Sequence, residues 1–138
     1  MDLVSVSPVF NLYDARWLIR TYQRQHPPAK FVFAEEKRMG IALDSIVSMG
    51  SMISGGRVQN SVLSHDVRVD CSADVQSSIL FSHSKIGHHS RVRHAIIDRK
   101  VQIPPHSFIG YDIEEDRKKY HVTETGIVVI VPERIFEK

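Results

Sequence analysis

Written in rows of seventeen, residues 46–113 bring their aliphatic side chains into register. The first column reads Ile46, Leu63, Leu80, Ile97, and the seventh reads Met52, Val69, Ile86, Ile103. The thirteenth reads Val58, Val75, Val92, Ile109, and the seventeenth Val62, Ile79, Ile96, Ile113. Every one of these positions is aliphatic, although Leu, Ile, Val and Met supply only 40 of the 138 residues, so the pattern is a true internal repeat. The eleventh column, Gly56, Ala73, Ser90, Ser107, is small throughout.

Within a row, columns one, seven and thirteen lie six residues apart, and Ile41, Val47 and Ile53 continue that spacing upstream with a shift of frame. Hexads with one aliphatic and one small residue predict a parallel β-helix of hexapeptide type. Each short strand sends one side chain to the axis, the small residue lets the backbone turn a corner, and three sides close a coil. A seventeen-residue row is three hexads with one corner shortened by a residue. Burial of an aliphatic side chain is worth about 1.5–3 kcal/mol, set against an ordering entropy of similar size, so coils must stack to be stable. Open ends expose strand edges and need covers. The fold predicted is all-β, with the strand-like "GIVVIV" (126–131) covering one end and the N-terminal segment the other.

Residues 1–40 have a different texture and read as an arm or linker, with the β-helix domain over 41–138. Asp14 predicts an N-cap for a short helix towards Tyr22, placing Arg16, Arg20 and Arg24 on one face and stopping before Pro27 and Pro28. Residues 30–33 predict a short strand, and 35–38 a charged turn. Beyond the coils, "YDIEEDRKKYH" (111–121) predicts a solvated connector.

Composition changes this picture little. Lys+Arg (18) and Asp+Glu (16) nearly cancel, so charge gives no reason to expect nucleic acid or an anionic membrane as a partner. The single cysteine, Cys71, excludes an intrachain disulfide and fits a reducing cytoplasm. No apolar run has the length of a membrane span, and the N-terminus does not open as a signal peptide.

The candidate chemistry lies in histidines and arginines. His83, His88, His89 and His94 fall in one row, and His89 and His106 share a column, which stacks them about 4.8 Å apart on successive coils. No carboxylate stands at a spacing that orients these rings, no metal-ligand spacing is evident, and exposed surface histidines are the plainer reading. Cys71 reads as a corner residue and "SGGR" (54–57) as part of a coil, not a phosphate loop. Arg91, Arg93, His94, Arg99 and Lys100 fall within ten residues, and Arg134 and Lys138 follow the last strand. Arginine's planar fork of donors suits phosphate, although a solvated basic face accounts for the composition equally.

Several stretches carry a resemblance: "VSPVFNLYDARWLIRTYQ", "PPAKFVF", "ALDSIVS", "ISGGRVQNSVLSHDVRV" and "SRVRHAIIDRKVQIPPHSFIGYDIEEDRKKYHVTETGIVVI". In order and over nearly the whole chain, they resemble the C-terminal part of bacterial ADP-glucose pyrophosphorylase (glucose-1-phosphate adenylyltransferase). The resemblance implies a left-handed β-helix that follows a larger nucleotidyltransferase domain and serves regulation and assembly. It implies that catalysis, from ATP and glucose 1-phosphate with Mg2+, belongs to that other domain, with no catalytic residue, cofactor or metal in this chain. It implies a homotetrameric parent, partnered here by its own catalytic domain and neighbouring subunits, and a phosphorylated metabolite as effector. Arg99, the arginine of the "IIDR" motif, maps onto the family's activator phosphate site; Arg134, Arg91 and Lys100 are the further candidates. Leu18, Met49, His94 and Pro132 depart from residues common in the family. A different reading of the repeat is a trimeric hexapeptide acyltransferase with a histidine base and an acyl-CoA donor; a third is a scaffold without a ligand.

Overall fold

The computed structural model describes residues 2–20, 22, 24–32, 34–35 and 38–132. Short strands wind into a parallel solenoid with three sheets as its sides. One side orders the strands Lys30–Val32, Met52–Ser54, Arg68–Val69, Lys85–Ile86 and Gln102–Ile103. The second runs Ile41–Leu43, Arg57–Gln59, Asp74–Gln76, Arg91–Arg93 and Phe108–Ile109. The third runs Ile46–Val47, Val62–Leu63, Ile79–Leu80, Ala95–Ile97 and Val128–Ile130, with His121–Val122 added antiparallel at its end. The strand Val128–Ile130 therefore covers the final coil on one side, as expected of "GIVVIV".

The repeat predicts the interior well, with one frame correction. Leu63, Leu80 and Ile97 are fully buried, as are Val69, Ile86, Val58, Val75 and Val92, with Ile103 and Ile109 nearly so. In the first coil, however, Val47 pairs with Leu63 and Ile53 with Val69, so Val47 and Ile53 hold the inward positions, not Ile46 and Met52. The cause is a corner one residue shorter at Gly55–Gly56 than at its counterparts in later coils. A Cβ on Gly56 would meet Val69 Cγ1 at 2.8 Å and the Asp70 carbonyl at 2.9 Å, which accounts for the small column there. The seventeenth column is not core. Val62, Ile79 and Ile96 form a half-buried stripe on the outer face of the third side, because side chains alternate along a strand. Ile113, in the same column, is exposed on a helix.

Corners are fixed by two devices. The first is a ladder of left-handed backbone conformations: Asp44, Asn60, Ser77 and His94 at one corner; Gly50, Asp66, His83 and Lys100 at the second; Gly55, Ser72, His89 and His106 at the third. Asn, Asp and His tolerate positive φ better than most residues, which explains why so many histidines sit there. The second is a serine ladder. Ser61 N–H donates to Ser45 Oγ at 3.1 Å, Ser78 N–H to Ser61 Oγ at 3.1 Å, and Ala95 N–H to Ser78 Oγ at 3.2 Å. The Ser61 and Ser78 hydroxyls each donate in turn to the carbonyl two residues back, at 2.8 and 2.7 Å. Buried backbone donors that cannot pair within a strand are thereby satisfied.

Outside the coils the sequence reading needs two corrections. Asp14 does not start a helix: the described residues of 14–22 hold a turn at 15–16 and no helix. Its carboxylate instead accepts from the Arg16 backbone N–H at 2.9 Å and pairs with the Arg16 guanidinium, which holds its pKa below the usual carboxylate range. A helix that short lacks the length to repay nucleation without a face to bury, and Trp17, Leu18 and Ile19 are exposed. Conversely, the segment read as a solvated connector contains the helix Ile113–Lys119. Asp112 caps it, accepting from Glu114 and Glu115 N–H, and its first turn is acidic and its last turn basic, matching the helix dipole. Asp116 is buried and accepts from Gly110 N–H at 2.8 Å. The strand at 30–33 is observed as Lys30–Val32, Phe33 lying outside the described residues; Ala34–Glu35 pairs antiparallel with Arg38–Met39, and the middle of the turn expected at 35–38 lies outside them too.

Two substitutions test this arrangement by urea denaturation. Leu80→Ala, at a fully buried site, is expected to cost about 2–5 kcal/mol, and Ile79→Ala on the outer face substantially less; equal losses would contradict the register. Ser78→Ala strands the buried Ala95 N–H and is expected to cost about 1–3 kcal/mol. A neutral result would show that the serine ladder is dispensable.

Candidate functional site

The second corner of the solenoid gathers charged and imidazole groups that lie far apart in sequence. His65 and Asp66 lie at the turn between the strands Val62–Leu63 and Arg68–Val69. Asp66 takes the left-handed conformation, with φ 58°, directly over Gly50 of the preceding coil. A side chain at position 50 would run into the Asp66 carboxylate, so glycine there makes room for it. His83 holds the same corner position one coil further on, its N–H donating to the His65 carbonyl at 3.3 Å. His26 arrives from the N-terminal segment. The chain just after it is pinned by Gly50 N–H donating to the Pro27 carbonyl at 2.6 Å and Lys30 N–H donating to the Ser51 carbonyl at 2.8 Å.

These elements converge on one carboxylate oxygen. Asp66 Oδ2 lies 3.0 Å from His26 Nδ1, 3.0 Å from His65 Nδ1 and 3.8 Å from His83 Nδ1. The His26 and His65 rings stack with centroids 4.7 Å apart, and His83 meets His65 edge-on at 5.3 Å. Burial pushes the Asp66 carboxyl up, but the hydrogen bond from His65 and the charges of His26, His83 and His65 outweigh it, and the net pKa is lowered. On its far side His65 Nε2 is 2.9 Å from Ser82 Oγ, which is 3.1 Å from Ser64 Oγ. The cluster borders a groove of about 540 Å³ whose walls include Tyr22, Arg24, Ser48 and Met49.

Asp66, His65 and Ser82 are in the connectivity of a nucleophilic triad. Ser82 is only 7% exposed, however, and its hydroxyl is shared with Ser64, so it holds the imidazole in place and does not face a substrate. His26, His65 and Asp66 are the one group of three potential metal-ligating residues found among the described residues, their donor atoms all within 4.8 Å of one another. Of the histidines expected to lack an orienting carboxylate, His83 has Asp66 Oδ2 3.8 Å from its Nδ1, and His26 and His65, not singled out by the sequence, lie closer to it. Sequence spacing missed the cluster because His26 is far from the 65–66 pair along the chain; the available signal was a His-Asp pair at a corner position.

The other candidates are distributed elsewhere. His88, His89 and His106 form an exposed ladder at the third corner, with His89 and His106 stacked at 5.2 Å, as their shared column implies. His94 is exposed at the first corner. Arg93 lies 4.6 Å over the Tyr111 ring and donates to the Gly110 carbonyl, a structural role at the end of the second side. Arg91 is exposed at the start of its strand on the second side, whereas Arg99 and Lys100 occupy the turn between the third and first sides. The Arg99 N–H donates to Asp98 Oδ1 at 2.7 Å, and its side chain is exposed. Lys100 borders a groove of about 580 Å³ together with Gln102, Ile130 and Pro132. Arg134 and Lys138 lie outside the described residues. Cys71 is half-buried at a corner. No helix among the described residues is long and apolar enough to cross a membrane.

Comparison with known proteins places this geometry in a family. The chain is 65% identical to a glucose-1-phosphate adenylyltransferase of Koribacter versatilis over 94% of its length, which covers 31% of that protein. It is 52% identical to the enzyme of that name from an Anaeromyxobacter species and 53% identical to that from Rhodopirellula baltica, in each case over 94% of this chain and 32% and 30% of theirs. The chain thus spans about a third of the relatives it matches. Residues 27–130, which take in the solenoid and its closing strand, match the family described as GlmU-like, C-terminal hexapeptide. The chain belongs to that family.

Proposed function

We propose that this chain is the regulatory and assembly domain of a glucose-1-phosphate adenylyltransferase, the enzyme that makes ADP-glucose and pyrophosphate from ATP and glucose 1-phosphate. The observation that carries this reading is the extent of similarity: 44% identity or more to enzymes of that name over 94–100% of this chain, against about a third of theirs. Catalysis, with its ATP and Mg2+, is assigned to the portion of such an enzyme that this chain does not span. The N-terminal segment supports a packing role. Val6 and Val9 are essentially fully exposed, and Tyr13, Trp17 and Tyr22 stand largely clear of the solenoid. That much exposed apolar surface on one segment marks a contact site, and the catalytic domain and neighbouring subunits of a homotetramer are the surfaces it would meet.

For regulation, Arg99 and Lys100 are the core of the candidate phosphate site. They share a turn, Arg99 is free to present its fork of donors, and Lys100 borders the groove that runs to Pro132, two residues before Arg134. Arg91 starts a strand on another side of the solenoid and would act as a more distant contributor of charge. The relatives compared, which match nearly the full chain, carry the name of an adenylyltransferase and not of an acyltransferase.

Two measurements test this. The chain by itself is expected to show no pyrophosphate-dependent turnover of ADP-glucose, and turnover would overturn the assignment of catalysis. Titration with fructose 1,6-bisphosphate and other sugar phosphates is expected to raise the melting temperature. At a hundredfold excess over Kd the stabilisation is about 2.7 kcal/mol, and Arg99→Ala is expected to remove it. No response to any phosphorylated metabolite would count against an effector site within this domain.

A further inference from the structure

The His26–His65–Asp66 cluster asks for an account beyond effector binding, because Arg99 and Lys100 lie at a turn on other coils. His65 Nδ1 hydrogen-bonds Asp66 Oδ2 at 3.0 Å, and His26 Nδ1 lies at the same distance from that oxygen. Surface ion pairs rarely order three side chains from segments this far apart in sequence, since each pays side-chain entropy for a modest return. We propose that His26 Nδ1, His65 Nδ1 and Asp66 Oδ2 bind one divalent transition-metal ion of the zinc type, which clamps the N-terminal segment onto the first coils of the solenoid.

The geometry is close to what such an ion needs. Zinc–nitrogen and zinc–oxygen bonds of about 2.0–2.2 Å in a tetrahedron place donor atoms roughly 3.3 Å apart. The two 3.0 Å contacts would open by a few tenths of an ångström, all three donor atoms already lie within 4.8 Å of one another, and the stacked His26 and His65 rings would turn to converge on the ion. Two imidazoles with one carboxylate suit zinc, cobalt or nickel; calcium and magnesium favour all-oxygen shells.

The surroundings are arranged for ligation as well. A ligating histidine usually donates its other ring N–H to an acceptor that fixes its tautomer. Here His65 Nε2 meets the buried Ser82 hydroxyl at 2.9 Å, leaving Nδ1 to face Asp66 and the ion. Asp66 is held by its left-handed turn over Gly50, and His26 by the pinned Pro27 carbonyl. His26 and His65 line the groove bordered by Tyr22, Arg24 and His83, from which water would complete the shell of a bound ion. His26 is thereby joined to the 65–66 corner, so the ion stabilises docking of the chain around His26 by mass action.

The test uses the chain freed of metal by chelation and of any histidine tag, with Co2+ as a spectroscopic probe and Zn2+ as competitor. One Co2+ per chain is expected, with visible ligand-field absorption that Zn2+ abolishes and a rise in melting temperature that a chelator reverses. His26→Gln, His65→Gln and Asp66→Asn are each expected to remove the absorption. Asn keeps the left-handed turn at position 66, so loss of signal with an unchanged circular dichroism spectrum reports ligation and not misfolding. Ser82→Ala is expected to weaken Co2+ about tenfold or more. His89→Asn, in the exposed histidine ladder, is expected to change nothing. The proposal is overturned if Co2+ is not taken up, if uptake survives loss of both His26 and His65, or if it is lost in His89→Asn.

Discussion

Each coil of this solenoid is completed by its neighbours: strand pairing runs between coils, never within one, and the corners must therefore repeat in register along the axis. The five parallel strands of each side would be worthless as isolated pairs. Stacked, they place Val58, Val75, Val92 and Ile109 in one file and Leu63, Leu80 and Ile97 in another, all in a dry interior. The corners permit this. Where the backbone turns, its donors cannot pair sideways, and Ser61 and Ser78 supply acceptors from one coil to the next. The left-handed residues at each corner bring the strands round without a longer loop.

That same constraint places chemistry. A side chain at a left-handed corner projects outward and repeats every coil, so any polar residues tolerated there form files along an edge of the prism. Histidine is tolerated, and the files His89–His106 and Asp66–His83 follow. The first is a bare ladder on the surface. The second acquires a carboxylate, a neighbouring His65 held by Ser82, and His26 from a segment that crosses the corner. The contrast lies in partners rather than in residue type: His65 is held on one side by a buried hydroxyl and on the other by a carboxylate, while His89 and His106 are exposed and stack on each other.

The basic residues follow the same logic. Proximity in sequence, which groups Arg91, Arg93, Arg99 and Lys100 within ten residues, does not carry over to space in a solenoid, where ten residues pass two corners. Arg93 is spent on Tyr111 and the Gly110 carbonyl, and Arg91 starts a strand on a different side from the turn that holds Arg99 and Lys100. Of the remaining pair, Lys100 borders a groove that reaches Pro132 and Arg99 is exposed beside it in the chain.

The sequence by itself determined the solenoid, because a period of seventeen in aliphatic residues has few other physical meanings and each inward position needs only an apolar side chain. It also determined the stacking of His89 on His106, a strand within 30–33 and a closing strand within 126–131. Tertiary structure alone decided the rest. The shorter corner at Gly55–Gly56 moved Val47 and Ile53 inward in place of Ile46 and Met52, since register is set by pairing with the next coil and not by a uniform count. The seventeenth column faced outward because aliphatic character does not tell one face of a buried-sheet strand from the other. The helix expected after Asp14 lacked a surface to bury, and the helix at Ile113–Lys119 gained one when Asp116 reached Gly110. The His26–His65–Asp66 cluster was invisible to spacing because its members meet only when the N-terminal segment folds across the second corner.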